Sequence, residues 1–372
     1  MSTSVIAPIT PAVLIWARRQ AAVTVPELAK KAAVKPERVL EWEAGSASPT
    51  LAQLRAASDI LKQPMALFFT PSPLADVMTA PPDFRGAGAT AGRRLTREIR
   101  LAEERRDTFK RLAPRLAAAS VWPRWAAATD LTPARARARL GVTTGAVAAA
   151  KTPHEALRLW IAAVERQGVL VFQMSRVDDG ECSGFCLDDT TTPVIALNGK
   201  EAPQRRAFTL LHELGHLIGH SGGLCLLREE VDRERACNRF AENVLLPGPE
   251  TLAAVGGNAG AAAVDVVARD FKVSRVAAAV ALGRRGLVGQ QVVEDEARRS
   301  AEARERAQND KERSGFAPPA RLARRNLGDV YLTTVLDAMD ADAISVADAT
   351  YFLGAKVGLI GQLERELAGS RP

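Results

Sequence analysis

Short, continuous apolar runs occur in one stretch of this chain, and elsewhere the apolar positions recur at helical spacing. Residues 169–174, 182–187 and 194–197 are three such runs, separated by polar and glycine-containing turns, and they predict three strands of a small sheet. Just before them, Leu157, Trp160, Ile161 and Val164 share one helical face, with Thr152-Pro153 as a start signal and Gly168 as a stop. After them, Leu210, Leu211, Leu214, Leu217 and Ile218 make a thick apolar flank that predicts a helix over 207–220. Val231, Glu234, Asn238, Ala241 and Leu245 then fall on a single stripe of a second helix, closed by Pro247.

The flanks of this region read as helical throughout. Residues 10–70 predict five short helices, started by Thr10-Pro11, Thr24-Val25-Pro26, Lys35-Pro36, Ser48-Pro49 and Pro64. Prolines 71, 73, 81 and 82 and glycines 86, 88 and 92 mark 71–92 as a hinge. Leu95, Ile99, Ala102, Arg106 and Phe109 predict a helix over 93–116, whose arginines alternate with Glu98, Glu103, Glu104 and Asp107 as on a solvated or packing surface. Residues 264–282 predict two helices joined at Val273-Ser274, with Arg275 the only basic residue leading the second, which favours packing over DNA contact. Residues 291–314 predict an exposed charged helix, and 318–371 a helical tail. The expected organisation is a helical domain over 1–75, a linker with a charged helix over 76–120, a domain with the small sheet over 121–290, and a helical region over 291–372.

Composition narrows the class without choosing a function. The chain has 372 residues, 47% hydrophobic and 25% charged, as expected of a soluble protein of two or three domains. It lacks a run of eighteen uncharged apolar residues, and its first residues lack the basic segment of a secretory signal, so a cytoplasmic location without membrane contact is expected. The net charge of +7 is compatible with nucleic acid. Cys182, Cys186, Cys225 and Cys237 show no C-x-x-C spacing, which predicts free thiols in a reducing compartment.

The chemistry concentrates on the two consecutive helices. Three of the four histidines lie within nine residues, and His212, Glu213 and His216 spell H-E-x-x-H. Two imidazoles at i and i+4 share a helix face and converge on one divalent metal, while Glu213 sits about 100° round the helix, placed to take a proton from bound water. A third ligand is expected downstream. Glu234 lies on the inward stripe, where a carboxylate is costly without a partner, and two His plus one Glu form a catalytic zinc set with one position open. Zinc suits this set best, and Mn2+ or Fe2+ are compatible alternatives. His220, Asn198, Asn238 and backbone N–H groups are candidates for stabilising an oxyanion or supporting the ligands. The fourth histidine, His154, is expected to be an exposed polar residue.

Taken together, His212-Glu213-x-x-His216, Glu234-x-x-Cys237-Asn238-x-Phe240-Ala241, Leu245-Leu246-Pro247, Asn198 and the run 206–210 resemble the ImmA/IrrE family of metallo-endopeptidases over roughly residues 150–290. The resemblance implies an α+β zincin-like fold, His212, His216 and Glu234 as ligands, Glu213 as general base, and a dedicated protein substrate such as a transcriptional repressor. Cys237 departs from the alanine expected at that position. In the first domain, Glu27-Leu28-Ala29, Trp42-Glu43-x-Gly45, Pro49-Thr50 and Leu54 resemble a phage-repressor-type (XRE) helix-turn-helix. That resemblance implies double-stranded DNA as a partner, with Lys35 and Arg38 at the leading turn of the groove-entering helix, beside the acidic Glu37 and Glu41. The words Pro82-Asp83-Phe84-Arg85 resemble the linker of relatives carrying both domains. The expected fold is mainly α with one small sheet, an all-α first domain and a helical tail. The expected function is a metal-dependent endopeptidase fused to a DNA-binding domain, and the rival expectation is a DNA-binding regulator whose metal site is a sensor or a relic.

Overall fold

A computed structural model describes residues 6–21, 23–61, 65–69, 93–126, 131–178, 180–219, 227–309 and 318–368. The chain forms two compact units, Met1–Arg100 and Leu101–Pro372. The expected hinge at 71–92 and its Pro82–Arg85 motif lie outside the described residues.

The first unit is built from α1 (Pro11–Gln20), α2 (Val25–Lys31), α3 (Pro36–Ala44), α4 (Leu51–Leu61) and a 3-10 turn at Met65–Phe69. Their starts are the ones expected from local chemistry. Thr24 and Glu27 form a reciprocal capping box on α2, and Pro36 opens α3, where its missing N–H costs nothing. Trp42, Leu14, Leu28, Leu54, Leu61 and Phe68 fill the core. Arg18 binds the carboxylate of Glu43, with an Nη2–Oε2 distance of 3.0 Å, and so clips α1 to α3. Trp42 is fully buried while Trp16 only flanks the core.

From α5 (Arg93–Leu112) the chain enters the second unit through α6 (Pro114–Ala118), α7 (Trp122–Ala126), α8 (Pro133–Leu140), α9 (Thr144–Ala149) and α10 (Pro153–Glu165). The single helix expected over 93–116 is broken at Ala113. Pro114 has no N–H to give and cannot sit in the helix interior, so it starts α6 instead. Strands β1 (Leu170–Met174), β2 (Gly184–Leu187) and β3 (Val194–Asn198) form one sheet of order β1-β3-β2, with β1 parallel and β2 antiparallel to β3.

Helices α11 (Pro203–Ile218), α12 (Leu227–Leu245), α13 (Gly248–Val255), α14 (Gly260–Phe271), α15 (Arg275–Arg284) and α16 (Gln290–Asn309) follow the sheet. One apolar core takes in Trp160, Val171, Ile195, Leu197, Leu210, Leu214, Val244 and Leu282. Strands β1 and β3 are buried along their whole length, which is why their sequence reads as continuous apolar runs. α16 is not a free connector: Glu296 on it is 2% exposed and is gripped by Arg275, with an Nη2–Oε1 distance of 2.7 Å. The same Arg275 binds Asp265, so the lone basic residue of α15 is engaged within the unit.

The tail folds as α17 (Pro319–Leu327), α18 (Asp329–Asp340), α19 (Val346–Leu353) and α20 (Val357–Ala368). α17 packs against β1 and α20. At the α17–α18 corner Gly328 has φ +73°, and a Cβ there would lie 2.5 Å from the Val171 carbonyl oxygen, so only glycine lets the corner close on the strand. Tyr331 meets the ring of Phe172 edge-on, with ring centroids 5.6 Å apart. Among the described residues no helix is long and apolar enough to cross a membrane.

Candidate metal centre

α11 begins at Pro203 and turns Ala207, Leu210, Leu211, Leu214 and Leu217 into the core. That orientation leaves His212 and His216 on the opposite side, half-buried, with their Nε2 atoms 3.0 Å apart. α12 packs along α11 and brings in Glu234. One carboxylate oxygen lies 3.3 Å from His212 Nε2 and the other 3.0 Å from His216 Nε2. Among the described residues this is the group whose ligand atoms all lie within 4.8 Å of one another. A tetrahedral ion with bonds of about 2.0–2.1 Å holds neighbouring ligand atoms roughly 3.3 Å apart, so the three residues fit a zinc-class cation. Glu234 departs from expectation in one respect: its side chain is 47% exposed, on the rim of the helix pair.

The two histidines are oriented from α12. The Nδ1 of His212 lies 3.0 Å from Asn238 Oδ1. An Nδ1–H donated to that oxygen leaves Nε2 with its lone pair toward Glu234, the arrangement a metal needs. On the other histidine the thiol of Cys237 is hydrogen-bonded to His216. Burial disfavours the charged form of His216, but Cys237 and Glu234 outweigh it and push the imidazole up to about 10. The same two imidazoles hold the Glu234 carboxyl well below the usual carboxylate range. A carboxylate and two rings gathered this tightly demand a cation between them, whether a proton or a metal.

Glu213 faces the sheet. Burial raises its pKa, partly countered by His212 and His216, and the Cys186 thiol on β2 hydrogen-bonds to it. Gly184 makes this approach possible, because a Cβ there would meet Thr209 Cγ2 at 2.5 Å and the Ala196 carbonyl oxygen at 2.9 Å. The strand next to the histidine helix is therefore β2, paired on one side with β3.

The remaining expected residues are dispersed. Asn198 is fully buried, and its amide donates to the carbonyls of Cys182 at 2.9 Å and Asp178 at 3.3 Å, while its Oδ1 accepts from the Lys200 N–H. Its donors are directed to these loop carbonyls, which corrects its expected role toward an oxyanion. His220 lies outside the described residues, as does Cys225. His154 is exposed on α10. Cys182, Cys186 and Cys237 are free thiols. In the first unit Lys35 and Arg38 are exposed at the start of α3, and Arg38 Nη1 is 2.6 Å from Glu41 Oε2.

Two histidines and a glutamate drawn from a helix pair beside a small sheet are the arrangement that decides the comparison. Residues 164–282 match the Peptidase_M78 family, described as the IrrE N-terminal-like domain. The match runs from the end of α10 to α15 and contains the sheet, both metal-site helices and Glu213. It gives this part of the chain a peptidase-type, IrrE-like domain. No curated protein matches the chain. Among solved structures it is similar to a Mycobacterium tuberculosis transcriptional regulator, at 22% identity and a TM-score of 0.30. That similarity covers 48% of this chain and 50% of the regulator, so the chain spans half of that protein's length.

Proposed function

We propose that the chain is a metal-dependent endopeptidase, with zinc as the metal, joined to a DNA-binding unit and directed at a regulatory protein. His212, His216 and Glu234 hold the ion, and Glu213 is the general base. The observation that carries this reading is the convergence of the two Nε2 atoms on the Glu234 carboxylate beside a buried Glu213. An ion held there supplies an acidified water and polarises the scissile carbonyl.

The chain's own residues do the rest. Asn238 fixes the tautomer of His212, and Cys237 and Glu234 orient His216. Glu213 accepts the proton of the attacking water and returns it to the departing amine. Burial raises its pKa, which favours the protonated form it passes through. β2 is the strand against which an extended substrate would add backbone hydrogen bonds. Such a cleft rewards one segment with suitable side chains over unfolded protein in general.

Lys35 and Arg38 are assigned to DNA phosphates or guanine edges at the leading turn of α3. Fusion of a DNA-binding unit to a peptidase raises the local concentration of enzyme at operators, so a repressor-like protein is the expected substrate. The test compares wild type with Glu213→Gln on a pool of regulators from the cell, read by mass spectrometry. A short set of fragments present only with wild type supports the assignment. Identical profiles from the two proteins would leave a metal-sensing regulator as the better description.

A further inference from the structure

α8 and α9 meet the corner between α12 and α13 around a cavity of about 810 Å³. Small-molecule sites span roughly 300–1,000 Å³, so this space is of ligand size. Its wall is largely apolar, with Pro133, Ala138, Val142, Pro247 and Pro249. Arg137 lines it too, at 7% exposure. The cavity lies at the far end of α12 from the metal ligands. Asn243 on its wall is nine residues beyond Glu234, roughly 14 Å along the helix.

Arg137 sets this cavity apart. Its guanidinium lies over the Trp160 ring, 5.2 Å from the centroid. Nη1 donates to the Val244 carbonyl and, at 3.4 Å, to that of Leu245, so it holds the end of α12. Nη2 donates to Thr144 Oγ1 at 3.3 Å. Nε donates to none of the described residues, and unlike the unmet Nε of Arg105 and of Arg206 it is not sealed from solvent. Elsewhere in this chain the Nε–Nη2 fork is where a carboxylate binds. Arg275 gives it to Glu296 at 2.8 and 2.7 Å, and Arg324 gives it to Asp329 at 2.7 Å from both atoms. Burial pulls the Arg137 pKa down, and Glu250, exposed on the cavity wall, opposes this without forming an ion pair among the described residues. α13 begins on the same wall, where Pro247 at its N-cap supplies no side-chain hydrogen bond, so the positive end of this helix adds to the field. A buried guanidinium with an open fork favours an anion that brings its own apolar cover.

We propose that this cavity binds a small apolar carboxylic acid, its carboxylate on the Nε–Nη2 fork of Arg137 and its hydrocarbon body against Pro133, Ala138, Val142 and Pro249. Nη2 carries a second N–H beside the one given to Thr144, so the fork stays available. Glu250 at the rim repels further negative charge, which selects a monocarboxylate over a phosphate ester or a polyanion.

The experiment uses the full chain, both as purified and after removal of metal, so that a carboxylate bound at the metal centre is told apart. Titration calorimetry and thermal unfolding are run with phenylpropionate, phenylpropanol and phenylpropylamine at equal ionic strength. Phenylpropionate should bind saturably and raise the melting temperature in both forms, with the alcohol and the amine weaker by about tenfold or more. Ala138→Phe, a change at an exposed position of the wall, fills the cavity and should weaken binding of the acid by about tenfold or more. Glu250→Gln removes a like charge from the rim and should tighten it about two- to fivefold. This second variant decides the matter even where Ala138→Phe fails to fold. Arg137→Gln is avoided because it also releases the end of α12. Equal binding of the acid and the alcohol, binding that disappears with the metal, or an affinity for the acid unchanged in Glu250→Gln or in a folded Ala138→Phe would overturn the proposal.

Discussion

Asn238 Oδ1 lies 3.0 Å from His212 Nδ1, so one side chain of α12 sets the orientation of a ring on α11. Asn238→Ala should therefore leave all three ligands in place while weakening metal retention about 10- to 100-fold. Competition with a graded series of chelators measures this. Affinity equal to wild type would show that the contact does not orient the ring.

Glu234 is assigned as the third ligand despite its half-exposed side chain. Purified protein should carry about one zinc-class ion, and Glu234→Ala should lose most of it, whereas His154→Ala should not. Elemental analysis of the dialysed variants decides. Equal loss from both would remove Glu234 from the ligand set.

Glu213 separates binding from chemistry. Glu213→Gln should keep the ion and lower cleavage by about 10²-fold or more. If Glu213→Gln released metal as readily as His212→Ala, its role would be that of a ligand and not a base.

The first unit is expected to bind an operator-like duplex in a strongly salt-dependent way. Lys35→Ala, removing a phosphate contact, should reduce the slope of log K against log salt by about 0.9. The acidic Glu41 at Arg38 makes Arg38 the weaker contributor, since its guanidinium must first leave that carboxylate. Fluorescence anisotropy over a salt series is the measurement, and a slope unchanged in Lys35→Ala and in Arg38→Ala would point to a protein-docking domain.

A pH effect on stability is expected from Glu165, which is buried against the α17–α18 corner. Burial, then the Asp329 charge, pushes its carboxyl up to about 8, against the Val330 N–H and Arg324. Its folded pKa thus lies above the unfolded one. The stability it contributes is full below about pH 4.5, declines as the unfolded chain ionises, and is lost by about pH 8. Glu165→Gln should flatten the melting temperature over this window and raise it relative to wild type at pH 8. A melting curve of wild type that is flat from pH 5 to 8, with Glu165→Gln parallel to it, would contradict this.

Much of this was legible in the residues because the signals are local. The histidine helix follows from a 3.6-residue apolar repeat, the strands from short apolar runs, and the helix starts from Thr-Pro and Lys-Pro words. Stripe membership brings Glu234 to the two histidines, although its side chain is half-exposed and not deeply buried. What could not be read depends on which face meets which. Cys237 looks like a neutral departure from a motif until α12 is laid on α11, when its thiol meets His216. Asn198 carried no sign that its donors would be taken up by loop carbonyls. An amphipathic tail announces that it has a partner but not that the partner is β1. The break at Pro114 was available from the sequence, and the longer periodicity on either side of it hid it.

The Gly328 corner also bears on how the chain can be divided. With α17 packed on β1 and the corner pressed against the Val171 carbonyl, the C-terminal helices act as the cover of a strand edge. β1 pairs on one side only, and cutting the chain after α16 would remove the helix packed on it, baring backbone that would invite strand exchange between molecules. The smallest piece that keeps the sheet shielded thus extends through α20, well beyond the last residue of the peptidase-type match.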